Sequence, residues 1–248
     1  MQLSNRRREM GGSLEEPFDG FLIRGKFTDG STEAAWHCKI DNVDVDLTPF
    51  VNPDTKEFEY RQEKKPKNLY QILARNPYIT AVEIIGMEEV TNMAEMFHTC
   101  TALTSVVLGS NDKVVNFTNM IYSCSSLKEI DLSMLDTKTV VNWSGMFAAC
   151  YGFRKLIANF DFTSATNVNN MFPNSSALSD VIGEFSNIKI PPYTRGLPLT
   201  NESAMVFING LAEVETPQTI TFSAATYAKL TPEQIAIAES KNWIVSHV

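Results

Sequence analysis

The most regular feature of the chain is an apolar pattern that recurs through its middle. Apolar residues stand at i, i+3, i+4 and i+7 in Met93, Met96, Phe97 and Cys100. That spacing places four side chains on one side of a helix. Asn92 comes directly before them and can accept a hydrogen bond from a first-turn N–H. The pattern therefore predicts a short capped helix.

The pattern occurs several times. The same asparagine recurs at steps of 24, 26 and 25 residues, with a methionine four residues later, as Asn92, Asn116, Asn142, Asn167 and Met96, Met120, Met146, Met171. A degenerate copy begins at Asn68. A short alternating strand follows each predicted helix. Units this small bury their apolar faces only by stacking, with right-handed connections between parallel strands. The sequence predicts an α/β fold, a right-handed solenoid with one short helix and one short parallel strand per repeat.

The repeat also resembles a known family. The pattern N-x-x-x-M-F-x-x-C-x-x-L, followed by the sequence LSMLDT at 132–137, is similar to the BspA-type leucine-rich repeats of bacterial surface proteins. The resemblance covers roughly residues 68–190, and the copy at 167–175 departs from it with Pro173 and with Ser175 in place of cysteine. It implies a leucine-rich-repeat-like solenoid and a role in adhesion or interaction. The repeat implies no catalytic residues.

The flanking regions have a different pattern. Apolar and polar residues alternate at 21–27, 35–40, 43–47 and 58–60, which predicts a small antiparallel β-module. Near the C-terminus, Thr200 is expected to cap a helix, and Thr231 with Gln234 forms a capping-box sequence. Strands are expected at 219–223 and 243–246. We expect an extended docking segment at 1–17, a β-module at 18–62, the repeats at 63–190 and atypical capping repeats at 191–248.

Charge and hydropathy narrow the list of partners. The net charge is −8 and the pI is about 5.0, which argues against nucleic acid and anionic membrane as main partners. No apolar run is long enough to span a bilayer, so membrane insertion is not expected. No apolar segment follows Arg6, Arg7 and Arg8, so no secretory signal peptide is expected.

Candidate chemistry is sparse. Cys100, Cys124 and Cys150 are expected to be buried, reduced thiols, because neighbouring helices would hold them about 10 Å apart, too far for disulfides. His37 with Cys38, and His98 with Cys100, lack a second pair of metal ligands. The acidic run of Asp41, Asp44 and Asp46 lacks the glycine and distal glutamate of a calcium loop. No nucleophile or phosphate-binding motif is present. We expect no catalytic residue, no metal site and no cofactor.

What remains is surface. The outward strand positions predict a binding face that mixes acidic and aliphatic side chains, and simple solvation is the equal alternative. These positions are Glu83, Val107, Glu129, Asp131, Ile157, Asp180 and Ile182. Arg6, Arg7 and Arg8 are the candidate docking residues. The sequence LSNRRR at 3–8 resembles the N-termini of structural proteins from gut-bacterial phages.

These observations favour a non-enzymatic attachment module within a larger assembly, such as a phage fibre or tail-associated protein. Its N-terminus would bind other proteins of the assembly, and its solenoid face a host or cell-surface ligand. A bacterial cell-surface adhesin without its signal or anchor is the alternative, and an enzyme is a more distant one. The expected location is the surface of a virion or of a bacterial cell.

Overall fold

The computed structural model describes residues 18–248. The candidate docking residues Arg6, Arg7 and Arg8 lie outside the described residues. Most of the described chain forms short strands and turns. The strands are β1 (Phe21–Phe27), β2 (His37–Ile40), β3 (Val43–Asp46), β4 (Glu57–Gln62), β5 (Ile79–Ile85), β6 (Ser105–Leu108), β7 (Glu129–Asp131), β8 (Lys155–Ile157), β9 (Phe160–Asp161), β10 (Asp180–Ile182), β11 (Phe185–Ser186), β12 (Gln218–Phe222) and β13 (Trp243–His247).

The α-helices of the described residues all lie near the C-terminus. They are α1 (Asn201–Gly210), α2 (Ala224–Tyr227) and α3 (Pro232–Glu239). The Thr200 side chain accepts from the N–H of Ser203, which confirms the predicted cap of α1. Thr231 and Gln234 form the predicted capping box at the start of α3. These helices follow from local signals, since each cap satisfies a first-turn N–H within a few residues.

The strands assemble into several small sheets. The largest has the order β4-β1-β5-β6, with β1 antiparallel to both β4 and β5 and with β5 parallel to β6. The sheet β10-β8-β7 is parallel, as are the pairs β11-β9 and β12-β13. The strands β2 and β3 form an antiparallel hairpin. Because β1 pairs with β5, the N-terminal strands share a sheet with the first repeats.

The predicted right-handed α/β solenoid with one helix per repeat is wrong. Where the pattern predicts helices, the chain forms turns, and the sheets are small and of mixed direction. We call residues 68–76, 92–100, 116–124, 142–150 and 167–175 the turn segments. Each holds two residues with positive φ, four positions apart, such as Glu95 (φ 54°) and Thr99 (φ 62°). A left-handed residue interrupts a right-handed helix, so the segment cannot continue as one.

Hydrogen bonding explains why the turns are stable. In a helix each N–H would bond to the carbonyl four residues earlier. Instead, alternate N–H groups donate to the next turn segment: Met93, Glu95, Phe97 and Thr99 to the carbonyls of Asn116, Thr118, Met120 and Tyr122, at 2.7–3.1 Å. The same register joins every consecutive pair of turn segments. Other N–H groups donate to the carbonyl three residues back in the same segment, as Cys100 does to Phe97 at 3.1 Å. The backbone is therefore satisfied partly between copies and partly within each turn.

The sequence pattern nevertheless identifies the buried residues. Met93, Met96, Phe97 and Cys100 are all fully buried, as are their counterparts in the next two copies. The asparagine that begins each repeat also makes a local hydrogen bond. Asn92 Oδ1, for example, accepts from the N–H of Ala94 at 3.0 Å. That bond closes an Asx turn, which is the alternative that asparagine offers to a helix. The spacing i, i+3, i+4, i+7 thus arises here from a turn with one apolar side.

Candidate binding surface

The parallel strands β7, β8 and β10 carry most of the predicted binding residues. We call Val107, Glu129, Asp131, Ile157, Asp180 and Ile182 the sheet face. In strand register, Asp131, Ile157 and Ile182 form one row. Glu129, Lys155 and Asp180 form a second row. Successive residues of a row lie about 4.8 Å apart, so the two rows bring five of the six sheet-face residues together on one surface. Val107 lies on β6, in the sheet β4-β1-β5-β6.

Glu83 does not contribute to this surface. Its side chain is buried, and it accepts from Arg24 Nε at 2.8 Å and pairs with Arg24 Nη2 at 2.7 Å. Arg24 and Glu83 are cross-strand partners in β1 and β5. No pattern in the sequence indicates that a strand from the N-terminal region covers this position. Glu83 therefore holds two strands together and is not an exposed ligand.

The sheet face combines an apolar row with a charged one. Ile182 is 50% exposed, while Ile157 and Val107 are half-buried. The Lys155 ammonium lies 3.6 Å from a Glu129 carboxylate oxygen. Lys155 was not among the predicted residues, although its position between two acidic strands could have indicated it. Three carboxylates against one ammonium leave the face acidic, so a basic and partly apolar partner would complement it.

Neighbouring serines hold two carboxylates of the sheet face in place. Asp131 Oδ1 accepts from the N–H of Ser133 at 3.0 Å and from its hydroxyl at 2.6 Å. Met134, which follows, is 46% exposed. The Ser179 hydroxyl donates to Asp180 Oδ2 at 2.5 Å. These bonds hold both carboxylates in defined positions, and Met134 adds apolar area beside them.

The cysteines are free thiols in the structure, as predicted, but for a different reason. The turn segments pair directly, so equivalent residues are about 4.8 Å apart rather than the 10 Å expected between helices. Spacing alone does not prevent a disulfide at this distance. Instead, each thiol donates to a carbonyl of the preceding segment: Cys100 to Leu73 at 3.0 Å, Cys124 to Phe97 at 3.1 Å and Cys150 to Ile121 at 2.8 Å.

The same position acts as a donor in the other two segments. The Ser175 hydroxyl donates to the carbonyl of Phe147, and Asn76 Nδ2 donates to the carbonyl of Ala35 at 2.8 Å. Sequence reasoning classed the cysteines as apolar and missed this role. The serine at 175 and the asparagine at 76 were the available signal, because both are obligate polar side chains.

Burial makes these thiols unreactive. Desolvation raises the pKa of Cys38, Cys100 and Cys150 to about 12 and shifts the pKa of Cys124 upward as well. Only the thiolate is a nucleophile or a metal ligand. At neutral pH these cysteines therefore remain protonated hydrogen-bond donors or core residues.

The histidine and aspartate residues considered as metal ligands contact different neighbours and do not face a common point. His37 is exposed while Cys38 is buried, so they face opposite sides of β2, as expected for a strand. The His98 ring stacks on Tyr122 at 4.8 Å between centroids. Asp41 Oδ1 accepts from the N–H groups of Lys67 and Asn68, both at 2.8 Å. Within residues 18–248, no group of three or more His, Cys, Asp or Glu side chains could hold a metal ion.

Comparison with known protein families finds a match for the repeats. Residues 67–185, just under half of the chain, match the family described as "Mycoplasma protein of unknown function, DUF285". The matched range includes all five turn segments. No curated protein and no solved structure matches the chain. No helix in the described part of the chain is long and apolar enough to cross a membrane.

Proposed function

We propose that the protein is a non-enzymatic attachment module that binds a protein or cell-surface partner through the sheet face. The observation that carries this proposal is the row of Asp131, Ile157 and Ile182 beside Glu129 and Asp180. It exposes aliphatic side chains among carboxylates in a regular array. Mixed apolar and charged patches of this kind are typical of protein interfaces.

The environment of the thiols and of three aspartate carboxylates supports a binding function over a catalytic one. The described thiols are buried and protonated, and their hydrogen atoms already have acceptors in three cases. The Asp41, Asp44 and Asp46 carboxylates each interact with neighbouring residues. Thiols held in this way are poor nucleophiles, which favours binding over catalysis.

We further propose that the module belongs to a larger assembly, a phage particle, with a bacterial cell surface as the alternative location. The resemblance of residues 3–8 to phage structural proteins supports the first location. Antibody detection of the chain in purified virions and in cell-envelope fractions separates the two.

Deleting residues 1–17 should abolish incorporation into the particle without lowering the melting temperature. Normal incorporation of the shortened chain would contradict the docking role of Arg6, Arg7 and Arg8.

A pair of matched variants tests the sheet face. Ile182→Lys places a charge in the apolar row, whereas Ile244→Lys places the same charge on β13, where Ile244 is 55% exposed. Binding of the purified protein to intact host cells should fall at least tenfold for Ile182→Lys and stay unchanged for Ile244→Lys. Equal binding by both variants would exclude the sheet face as the attachment surface.

A further inference from the structure

The β2–β3 hairpin covers the first turn segment but does not pair with it completely. Alternate residues of β2 direct their N–H groups away from β3 and towards segment 68–76. Two of these groups, on Asp41 and Lys39, donate to the carbonyls of Asn68 and Ile72 at 2.9 and 2.8 Å. The next group belongs to His37, and it has no hydrogen-bond partner among residues 18–248. The ladder between the hairpin and the turn segment therefore lacks a rung at His37.

A carbonyl on the other side of this gap is also without a partner. In the later turn segments the equivalent carbonyl accepts an N–H from the preceding segment at 2.6–2.9 Å; these carbonyls belong to His98, Tyr122, Ala148 and Pro173. In segment 68–76 the carbonyl belongs to Ala74, and it accepts no hydrogen bond in the part of the chain that the structure describes. The hairpin resumes contact beyond the gap, where Asn76 Nδ2 donates to the carbonyl of Ala35 at 2.8 Å.

A cleft of about 130 Å³ occupies the place of the missing rung. One wall is formed by His37, Cys38, Lys39 and Asp44 of the hairpin, and the other by residues 71–76 of the turn segment. We call this space the hairpin cleft. It has room for a small polar group of a ligand, and both unpaired backbone groups belong to residues that line it.

The hairpin cleft is cationic, although the whole chain has a net charge of −8. Lys39 and Arg75 line it together with a single carboxylate, that of Asp44. The Lys39 ammonium lies 3.7 Å from an Asp44 carboxylate oxygen, and the Asp44 side chain is 78% exposed. Because an exposed ion pair of this kind is weak, an anionic ligand can replace Asp44 beside Lys39. The nearby Glu95 carboxylate already accepts from Gln71 Nε2 at 2.7 Å.

Arg75 supplies a guanidinium group that is available to a ligand. Its side chain is exposed and makes no hydrogen bond or ion pair with any residue between 18 and 248. The later turn segments carry short uncharged side chains at this position, which are Thr99, Ser123, Ala149 and Asn174. The long cationic side chain thus occurs in the segment that borders the cleft. A guanidinium binds carboxylate and phosphate groups through two parallel hydrogen bonds.

We propose that the hairpin cleft binds an oxyanion group of a ligand, either a carboxylate or a phosphate. Arg75 and Lys39 neutralise the anion, and the N–H of His37 donates to one of its oxygens. The Ala74 carbonyl would repel a bare oxyanion, so the ligand also carries a hydroxyl or N–H that donates to this carbonyl. The cleft is distinct from the sheet face, so the inference does not depend on the proposed function.

NMR titration of the whole chain with inorganic phosphate and with glycolate, at an ionic strength held constant with sodium chloride, tests for the site. The backbone amide of His37 should shift saturably with at least one of these probes. Saturation by phosphate alone identifies a phosphate ligand, saturation by glycolate alone a carboxylate, and saturation by both a site for either group. Absence of a saturable shift with both probes would overturn the proposal. Acetate, which lacks the hydroxyl, should bind at least threefold more weakly than glycolate, and equal binding would exclude the role of the Ala74 carbonyl.

Three variants test which side chains hold the anion. Arg75→Gln should weaken binding of the saturating probe at least fivefold, and Gln71, with φ 58°, shows that glutamine tolerates the positive φ found at Arg75. Asp44→Asn should strengthen binding at least twofold, because it releases Lys39. Arg195→Gln removes an exposed arginine in the loop before α1 and should leave the affinity unchanged. Equal affinities for Arg75→Gln and Arg195→Gln, or weaker binding by Asp44→Asn, would rule out the site, and unchanged melting temperatures establish that the variants are folded.

Discussion

At the residue scale, one position of the turn segments must be a hydrogen-bond donor, although three of its five residues are cysteines, which the sequence alone suggests are apolar. The five residues are Asn76, Cys100, Cys124, Cys150 and Ser175. The side chain there must donate a hydrogen bond to a carbonyl, which lies in the preceding turn segment for the cysteines and Ser175 and at Ala35 for Asn76. Three thiols meet that requirement in the middle of the stack, and a hydroxyl meets it at the end. Cys38 differs, because its buried thiol has no hydrogen-bond partner among the described residues.

This difference predicts opposite responses to substitution. Cys124→Ser should destabilise the protein less than Cys124→Ala, because the hydroxyl keeps the bond to Phe97 while alanine loses about 1–2 kcal/mol of bonding and packing. At Cys38 the order should reverse, since an unpaired buried hydroxyl is costly. Urea unfolding of the four variants measures both orders. If alanine were better tolerated at both sites, the donor role would be wrong.

The raised thiol pKa values predict a loss of stability in alkali. The pKa of an unfolded cysteine is about 8.5, while burial raises the pKa of Cys100 and Cys150 in the folded chain to about 12. Above pH 8.5 the unfolded state therefore releases protons that the folded state retains, and stability falls as pH rises towards 12. Urea midpoints should be steady from pH 7 to about 8.5 and then decline.

Other groups also titrate in alkali, so a variant supplies the control. Protein carrying both Cys100→Ser and Cys150→Ser should show a shallower decline across the same pH window. Parallel pH profiles for the variant and the wild type would show that these thiols do not cause the loss.

At the element scale, the turn segments depend on left-handed residues at fixed positions. The non-glycine residue Ala149 has φ 59°, which costs a residue with a Cβ about 1 kcal/mol. Ala149→Gly should therefore stabilise the protein by about 0.5–1 kcal/mol. In a helix the same change would destabilise by a similar amount, so the sign distinguishes the two structures.

The neighbouring Ala148 is the control for that measurement. It is buried and its φ is not positive. Ala148→Gly should destabilise the protein by about 1 kcal/mol through lost packing and added chain entropy. Thermal unfolding of both variants is sufficient, and destabilisation at both positions would contradict the turn assignment.

At the scale of the whole molecule, the antiparallel pairing of β1 with β5 joins the N-terminal strands to the stacked repeats. The Arg24–Glu83 pair lies at that junction and is mostly buried, with Arg24 20% and Glu83 6% exposed. Removing one partner of a buried pair leaves the other charge uncompensated. Arg24 also approaches Glu59 of β4, at 3.7 Å, so it spans three strands.

Arg24→Met should destabilise the whole protein by about 2–4 kcal/mol, because Glu83 is then buried without its partner. The double variant Arg24→Met with Glu83→Gln should recover part of that loss. Arg61→Met, which alters an exposed pair with Glu59, should cost under about 1 kcal/mol. Urea unfolding tests all three, and equal losses for Arg24→Met and Arg61→Met would mean that the buried pair does not couple the strands.

The sequence by itself determined which apolar residues of the repeats are buried, where the repeats begin, and where locally encoded elements lie. Strand β1, the cap of α1 and the capping box of α3 follow from side chains within a few residues of each other. Met96 and Phe97 were identified as core because burial depends on spacing, and a helix and this turn place the same positions on one side.

Only the tertiary structure decided that the repeats are turns. The choice between helix and turn depends on whether an N–H finds its carbonyl four residues back or in the next copy, 23 residues away in the case of Met93 and Asn116. The apolar spacing is the same in a helix and in this turn, so it does not indicate which carbonyl accepts the N–H. Glu83 is a second case in which local spacing was insufficient. The alternating pattern of β5 predicted that Glu83 faces outward, but β1 covers it, and Arg24 of β1, 59 residues earlier in the chain, pairs with its carboxylate.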